Sequence, residues 1–228
     1  MLLTCILNGA ELNTIIFILG LPSAVNMGWI IASVIALFIL VVLFLVNFYR
    51  DPKRTIPKGN NIVAPCDGTV ISIVDTSLKD ISIRKGYLGK IKAMTHDISN
   101  NCYVISIFMS PLDAHINRTP IAGSIKSVQH TSGTFFNAFD LEKSLSNEKN
   151  EIVIQNSNIK IKVIQIAGFL ARRIICFVHK NQKVNKGDKI GMIALGSQTT
   201  IILPKQVTLN VKLKEHVKAG EKIIACLK

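Results

Sequence analysis

Paired cysteines are what this chain most plainly lacks. Its five (Cys5, Cys66, Cys102, Cys176, Cys226) are odd in number, scattered, and form no C-x-x-C pair. That pattern argues against a disulfide framework and a zinc site, so no metal is expected, and it fits a reducing compartment in which the thiols act as small buried hydrophobes. No Met-Lys pair stands at a hairpin tip, which argues against a biotinyl- or lipoyl-type carrier. Basic runs interleaved with aromatics are also missing, so no nucleic-acid partner is expected despite a net charge of +13, from 27 Lys and Arg against 14 Asp and Glu. The excess still favours an anionic partner, and an acidic lipid surface is the one that remains.

Charge is almost absent from residues 1–50, where Glu11 and Arg50 are the only acid and base. Residues 28–46, GWIIASVIALFILVVLFLV, carry none at all. That is about the length needed to cross a hydrocarbon core of ~30 Å. Trp29 and Tyr49 flank it, as interfacial aromatics do. Arg50, Lys53, Arg54 and Lys58 follow, which predicts that what comes next lies on the cytoplasmic side of a cell membrane. A secretory signal is not expected, because no basic segment precedes the run and no small-residue cleavage site ends it. Residues 12–24 form a weaker apolar stretch broken by Gly20 and Pro22; a first span, a re-entrant piece and an interfacial segment all fit it. Residues 1–50 are therefore expected to be a membrane anchor, with the basic remainder facing anionic headgroups at about 1 kcal/mol per nearby cation.

Past residue 50 helical periodicity is scarce. Asp51-Pro52 and Pro57-Lys58-Gly59 read as a short polar linker. Short β-branched runs then recur between turn signals, at residues 69–74, 103–108, 151–155, 159–167, 173–178, 200–203 and 207–213. Lys160-Ile161-Lys162-Val163 alternates polar and apolar, the period of a half-buried strand. Val184-Asn185-Lys186-Gly187-Asp188-Lys189-Ile190 and Val217-Lys218-Ala219-Gly220-Glu221-Lys222-Ile223 share a V-x-x-G-[DE]-K-I pattern, each reading as a glycine-turn hairpin. Residues 51–228 are thus expected to be a mainly β domain, sandwich or barrel-sandwich-like, preceded by an N-terminal transmembrane helix.

The most informative short element is Gly196-Ser197, set in Ile190-Gly191-Met192-Ile193-Ala194-Leu195-Gly196-Ser197-Gln198-Thr199-Thr200-Ile201-Ile202-Leu203-Pro204. A serine hydroxyl can attack the carbonyl just before it. Glycine puts no side chain in the way of that approach and tolerates strained dihedrals. Alone, the dipeptide signals only a turn. Four further segments give it weight: Ile62-Val63-Ala64-Pro65-Cys66-Asp67-Gly68-Thr69-Val70, then Phe108-Met109-Ser110-Pro111-Leu112-Asp113-Ala114-His115-Ile116-Asn117-Arg118-Thr119-Pro120, then Gly133-Thr134-Phe135-Phe136-Asn137-Ala138, then Gln165-Ile166-Ala167-Gly168-Phe169-Leu170-Ala171-Arg172-Arg173-Ile174. In this order, behind an apolar span, they resemble the phosphatidylserine decarboxylase proenzymes of the short, prokaryotic type, over residues 48–204.

The resemblance implies a self-processing enzyme with a pyruvoyl group made from Ser197. Ser197 would attack the Gly196 carbonyl, and scission would leave a β chain of residues 1–196 and an α chain of residues 197–228 that stay associated. The pyruvoyl ketone would form a Schiff base with the serine amine of a membrane phospholipid, converting phosphatidylserine to phosphatidylethanolamine. An archaeal-type decarboxylase of an ether lipid with a serine headgroup would use the same chemistry. A non-enzymatic membrane-tethered β carrier or adaptor module is the alternative from another class. Oligomeric state stays open, and a homo-oligomer is compatible with the sequence.

His115 is the candidate for proton delivery, since imidazole titrates near neutral pH. Asp67 would orient or deprotonate Ser197, directly or through a histidine, although a Pro-x-Asp-Gly segment is equally a structural turn. Asp113 would cap a turn and fix His115. Longer relatives carry a second histidine where Arg118 stands here, which leaves open the group that activates Ser197. Arg118, Arg172 and Arg173 are expected to hold the substrate carboxylate or phosphate, with solvated strand-edge charges or a lipid-surface contact open for Arg172-Arg173. Asn137 is expected to hydrogen-bond substrate or to serve as a turn residue, and Gln198-Thr199-Thr200, where many relatives have a basic residue, to alter headgroup contacts.

Overall fold

A computed structural model describes residues 24–76, 95, 97–132, 148–167, 173–194 and 197–227. The chain divides into two compact units, Met1–Asn47 and Phe48–Lys228. The described part of the first is helix α1, which runs Ala24–Phe48 and whose last residue opens the second unit. No proline interrupts it, and the hydroxyl of Ser33 donates back to the Trp29 carbonyl at 2.8 Å. Met27–Phe48 is long and apolar enough to cross a membrane, about 33 Å at the helical rise. Apolar side chains cover every face of it, and Trp29 is 72% exposed. A helix apolar all round belongs in an apolar medium. The weaker stretch at residues 12–24 lies outside the described residues apart from Ala24, the first residue of α1.

The second unit is antiparallel β. Its strands are β1 (Asn61–Val63), β2 (Gly68–Asp75), β3 (Cys102–Met109), β4 (Ile116–Arg118), β5 (Gly123–Thr131), β6 (Lys149–Gln155), β7 (Lys160–Ile166), β8 (Ile174–Cys176), β9 (Lys183–Val184), β10 (Lys189–Ile193), β11 (Ser197–Pro204), β12 (Val207–Leu209), β13 (His216–Val217) and β14 (Ile223–Leu227). Among the described residues one sheet of eight runs β13-β2-β3-β11-β7-β6-β5-β9, and two of three run β4-β10-β8 and β1-β14-β12. The fold is mainly β behind one apolar helix, as expected, and no barrel closes among the described residues.

β11 lies between β3 and β7 near the middle of the large sheet. Because side chains alternate across a strand, one face of these strands carries Ile105, Ile107, Ile161, Val163, Ile201 and Leu203 into the main core. The other carries Val104, Ile164, Ile166 and Ile202 into a smaller apolar cluster. Both faces of β7 are therefore covered, and the half-buried strand expected from Lys160-Ile161-Lys162-Val163 is instead buried throughout beyond Lys160. Lys162, only 4% exposed, is accommodated by ion pairs to Glu151 at 3.0 Å and Asp97 at 2.6 Å.

The two V-x-x-G-[DE]-K-I segments form strands where expected but not hairpins. β9 pairs with β5 while β10 pairs with β4 and β8; β13 pairs with β2 while β14 pairs with β1 and β12. Each glycine turn thus carries the chain from one sheet to another. Gly187 (φ +87°) and Gly220 (φ +76°) adopt the left-handed backbone that glycine tolerates. A Cβ on either would land 2.4 or 2.8 Å from the same atom, Ile56 Cδ1. Residues 51–58, read as a polar linker, are therefore a strap. Ile56 plugs the two turns, and Arg54 reaches inward to a buried carboxylate.

Candidate active site

Ser197 opens β11 opposite Met109 and is fully buried; its hydroxyl donates toward the Met109 thioether, 3.9 Å away. It shares its face of the sheet with Thr199. Thr199 lies opposite Gln165 in β7, and Gln165 lies opposite Asn150 in β6, so a polar row crosses one end of an otherwise apolar core. Gln198 and Thr200 point to the opposite face, where Gln198 Nε2 donates to Thr200 Oγ1 at 3.0 Å and the Thr200 and Ser106 hydroxyls meet at 3.0 Å. Of the Gln198-Thr199-Thr200 segment, strand alternation turns Gln198 and Thr200 away from the face of Ser197 and keeps Thr199 on it.

His115 precedes β4, whose neighbour β10 leads toward Ser197, and Ile193 of β10 donates its N–H to the His115 carbonyl. The imidazole is fully buried. Nδ1 lies 2.8 Å from the Asp113 carbonyl oxygen. A carbonyl only accepts, so Nδ1 carries the proton and Nε2 presents a lone pair. That Nε2 is buried with no hydrogen-bond partner among the described residues. Burial holds the His115 pKa below its ordinary value, and the Arg50 charge acts in the same direction; the Asp113 hydrogen bond and the charges of Asp113 and Asp67 oppose the shift without cancelling it. Asp113 accepts the Ser110 N–H at 2.8 Å on its carboxylate, which shapes the turn that presents His115.

The other expected residues are placed differently. Asp67 accepts from Arg54 Nη2 on both oxygens, at 2.8 and 2.6 Å, and from the Ala219 N–H at 2.7 Å. Its carboxylate is thus anchored to the strap and to the segment that leads into β14, and it reaches His115 through its charge. Arg118 donates to the carbonyls of Gly187 and Pro52 and to Asp51, so it too holds the strap. Gly196, Asn137 and Arg172 lie outside the described residues. Among the described residues no group of three or more His, Cys, Asp or Glu side chains could hold a metal ion.

Four neighbours of these residues were not singled out as site residues from the sequence. Phe48 stacks on His115, and Met109 receives the Ser197 hydroxyl. Asn117 in β4 is fully buried against Met109 and Gln165. His216 brings Nε2 within 3.6 Å of Asp113 from about a hundred residues downstream. Cys66 is also buried here, but desolvation pushes its thiol far up, so it stays protonated and unreactive.

Comparison with known proteins gives a consistent result. The family model described as phosphatidylserine decarboxylase matches residues 41–225. A putative archaetidylserine decarboxylase proenzyme from Methanocaldococcus jannaschii is 44% identical over 186 residues, 81% of this chain and 90% of its own length. Phosphatidylserine decarboxylase proenzymes from Chlorobium phaeovibrioides and Chlorobium limicola are 39% identical over 225 residues and 38% over 195. These alignments cover 97% and 85% of this chain, and 91% and 83% of theirs.

Proposed function

Since this chain belongs to the phosphatidylserine decarboxylase family, we propose that it is a membrane-anchored proenzyme that cuts itself at Gly196-Ser197 and then decarboxylates the serine headgroup of a phospholipid. The single observation that carries the reading is that Ser197 and a neutral His115 are both fully buried, and that the His115 Nε2 has no hydrogen-bond partner among the described residues.

In self-cleavage, Ser197 Oγ attacks the Gly196 carbonyl carbon and the amide becomes an ester with a free amine at residue 197. Loss of the Cα proton then expels the Gly196 carboxylate and leaves dehydroalanine, whose hydrolysis releases ammonia. The resulting chain of residues 197–228 would not be lost. β11 is hydrogen-bonded on both sides, and β13 and β14 are paired with strands of the other chain.

Residue 197 suits a pyruvoyl group: it is dry and faces the core. When formed, that group supplies a ketone that condenses with the headgroup amine and draws electrons as carbon dioxide leaves. His115 takes the Ser197 hydroxyl proton during processing and gives a proton to the headgroup α-carbon during turnover. Its lowered pKa suits the first task. The charges of Asp113 and Asp67 favour the transient imidazolium, and Phe48 keeps water from the ring. Asp67 thus acts through its field, since its oxygens are committed to Arg54 and Ala219. Arg118 would have to release Asp51 to reach a substrate, so Arg172 is the candidate kept for an anionic headgroup group, with Asn137 as a hydrogen-bonding partner. Arg50, Lys53, Arg54 and Lys58 after α1 favour the cytoplasmic side.

Intact-mass analysis tests the reading. Wild type should separate into residues 1–196 and 197–228, the smaller with a blocked, carbonyl-reactive N-terminus, and should convert phosphatidylserine in vesicles. Ser197→Ala should remain one inactive chain. An active protein that is uncut, with an ordinary seryl residue at 197, would overturn it.

A further inference from the structure

Asn117 is a buried polar residue to which the reaction above assigns no task. Its Oδ1 accepts from Gln165 Nε2 at 2.7 Å, and Gln165 Oε1 accepts from Asn150 Nδ2 at 3.0 Å. All three residues are at most 1% exposed. The amides form a directed chain across β6, β7 and β4. With Oδ1 taken by Gln165, Asn117 must turn its NH2 group the other way, where it meets Met109 Sδ at 3.6 Å.

A thioether is a weak acceptor. A strong amide donor is therefore held in the dry core against a poor partner, which costs free energy unless something better arrives. The sulfur is the one that receives the Ser197 hydroxyl, so nucleophile and donor converge on a single atom. The fold also makes room for the chain: a Cβ at Gly191 would come within 2.7 Å of Gln165 Nε2 and 3.0 Å of Oε1.

We propose that Asn117 Nδ2 donates to the oxyanion that forms on the Gly196 carbonyl oxygen when Ser197 attacks, and that Gln165 and Asn150 are positioning residues that keep the donor facing it. The inference rests on the self-cleavage reading. As the Oγ–C bond forms, the carbonyl π pair moves onto oxygen and the Oγ proton passes to His115 Nε2. The pair then returns as the C–N bond breaks, and the Ser197 nitrogen takes up that proton. A neutral amide stabilises the oxygen between these two events without placing a cation beside the base, and the preorganised site avoids reorganisation at the moment of reaction.

The test follows cleavage of freshly folded full-length precursor in detergent by mass, with thermal unfolding read on the same samples. Asn117→Leu, similar in volume, should slow scission by about 100-fold, the usual loss for one oxyanion donor. Gln165→Met keeps Asn117 but frees its amide to turn, and should slow scission by roughly 10-fold, a smaller loss because the donor is retained. Hydroxylamine, which cleaves an ester, should not restore scission of Asn117→Leu, because formation of the ester is the step impaired. Wild-type rates in either variant would overturn the proposal, as would rapid hydroxylamine scission of Asn117→Leu. If wild type itself stays uncut, the self-cleavage reading has failed instead.

Discussion

The ring of Phe48 lies on the ring of His115, with centroids 4.1 Å apart and planes tilted by 35°. Phe48 is 2% exposed and His115 not at all. The residue that ends the apolar helix thus also seals the imidazole, and desolvation is the largest cause of its lowered pKa.

Removing the lid should therefore change the pH dependence of the chemistry. On the proposed role of His115 as base, self-cleavage needs the neutral imidazole, so the wild-type rate should hold until pH falls through the lowered pKa. Phe48→Ala admits water, raises that pKa toward 6.5, and moves the acid limb of the rate profile to higher pH. Cleavage rates from pH 4.5 to 8 check this; an unmoved limb would mean that Phe48 does not set the proton affinity.

The same shift links to stability. A histidine whose folded pKa lies below its unfolded value binds more protons unfolded. Its contribution is complete above about pH 6.5 and is lost as pH falls through the folded pKa. Uncut Ser197→Ala precursor should lose urea resistance on acidification in that window, and adding His115→Gln should flatten the slope there. Asp51, Glu151 and Glu215 are held below the usual carboxylate range. They act at lower pH and should leave the histidine window unchanged.

Asp67 and Arg54 form a buried pair, 9% and 6% exposed at their side chains. Deleting one partner leaves the other charge stranded, at a cost of about 3–5 kcal/mol. Asp67→Asn and Arg54→Met should each lower the urea midpoint strongly. The double variant should lose much less than the two effects combined. Asp67→Asn molecules that do fold should still cut themselves on the proposed role of this carboxylate, whose oxygens accept from Arg54 and Ala219. Folded but uncut Asp67→Asn would restore it as the activating base.

Much of this organisation was legible in the sequence, and what was hidden shares a cause. Runs such as residues 69–74, 103–108 and 200–203 became β2, β3 and β11 because β-branched residues between turn signals report local conformation. His115 and Ser197 were proposed from local segments. Asn117 and Phe48 were not, since their roles come from neighbours in other elements. The face that Gln198 takes was not legible, because only the pairing of β11 reveals it. The repeats were misread as hairpins for a related reason: a glycine turn is a local signal, whereas the choice of partner strand is made by the whole sheet.

Ile56 makes the last expectation testable. Because Gly187 and Gly220 both close on its Cδ1, each glycine meets two separate demands, a left-handed backbone and space for the isoleucine. Gly187→Ala and Gly220→Ala should each destabilise the uncut precursor by about 1–3 kcal/mol in urea. Shortening the plug with Ile56→Val removes Cδ1 and should recover the steric part for Gly220→Ala, but only some of it for Gly187→Ala, whose Cβ still meets Cγ1 at 2.8 Å; the backbone strain persists in both. Independent turns would show no such coupling. If Ile56→Val rescues neither alanine variant, the strap does not bind the two turns together, and the burial of Arg54 beside Asp67 would have to be explained by the ion pair alone.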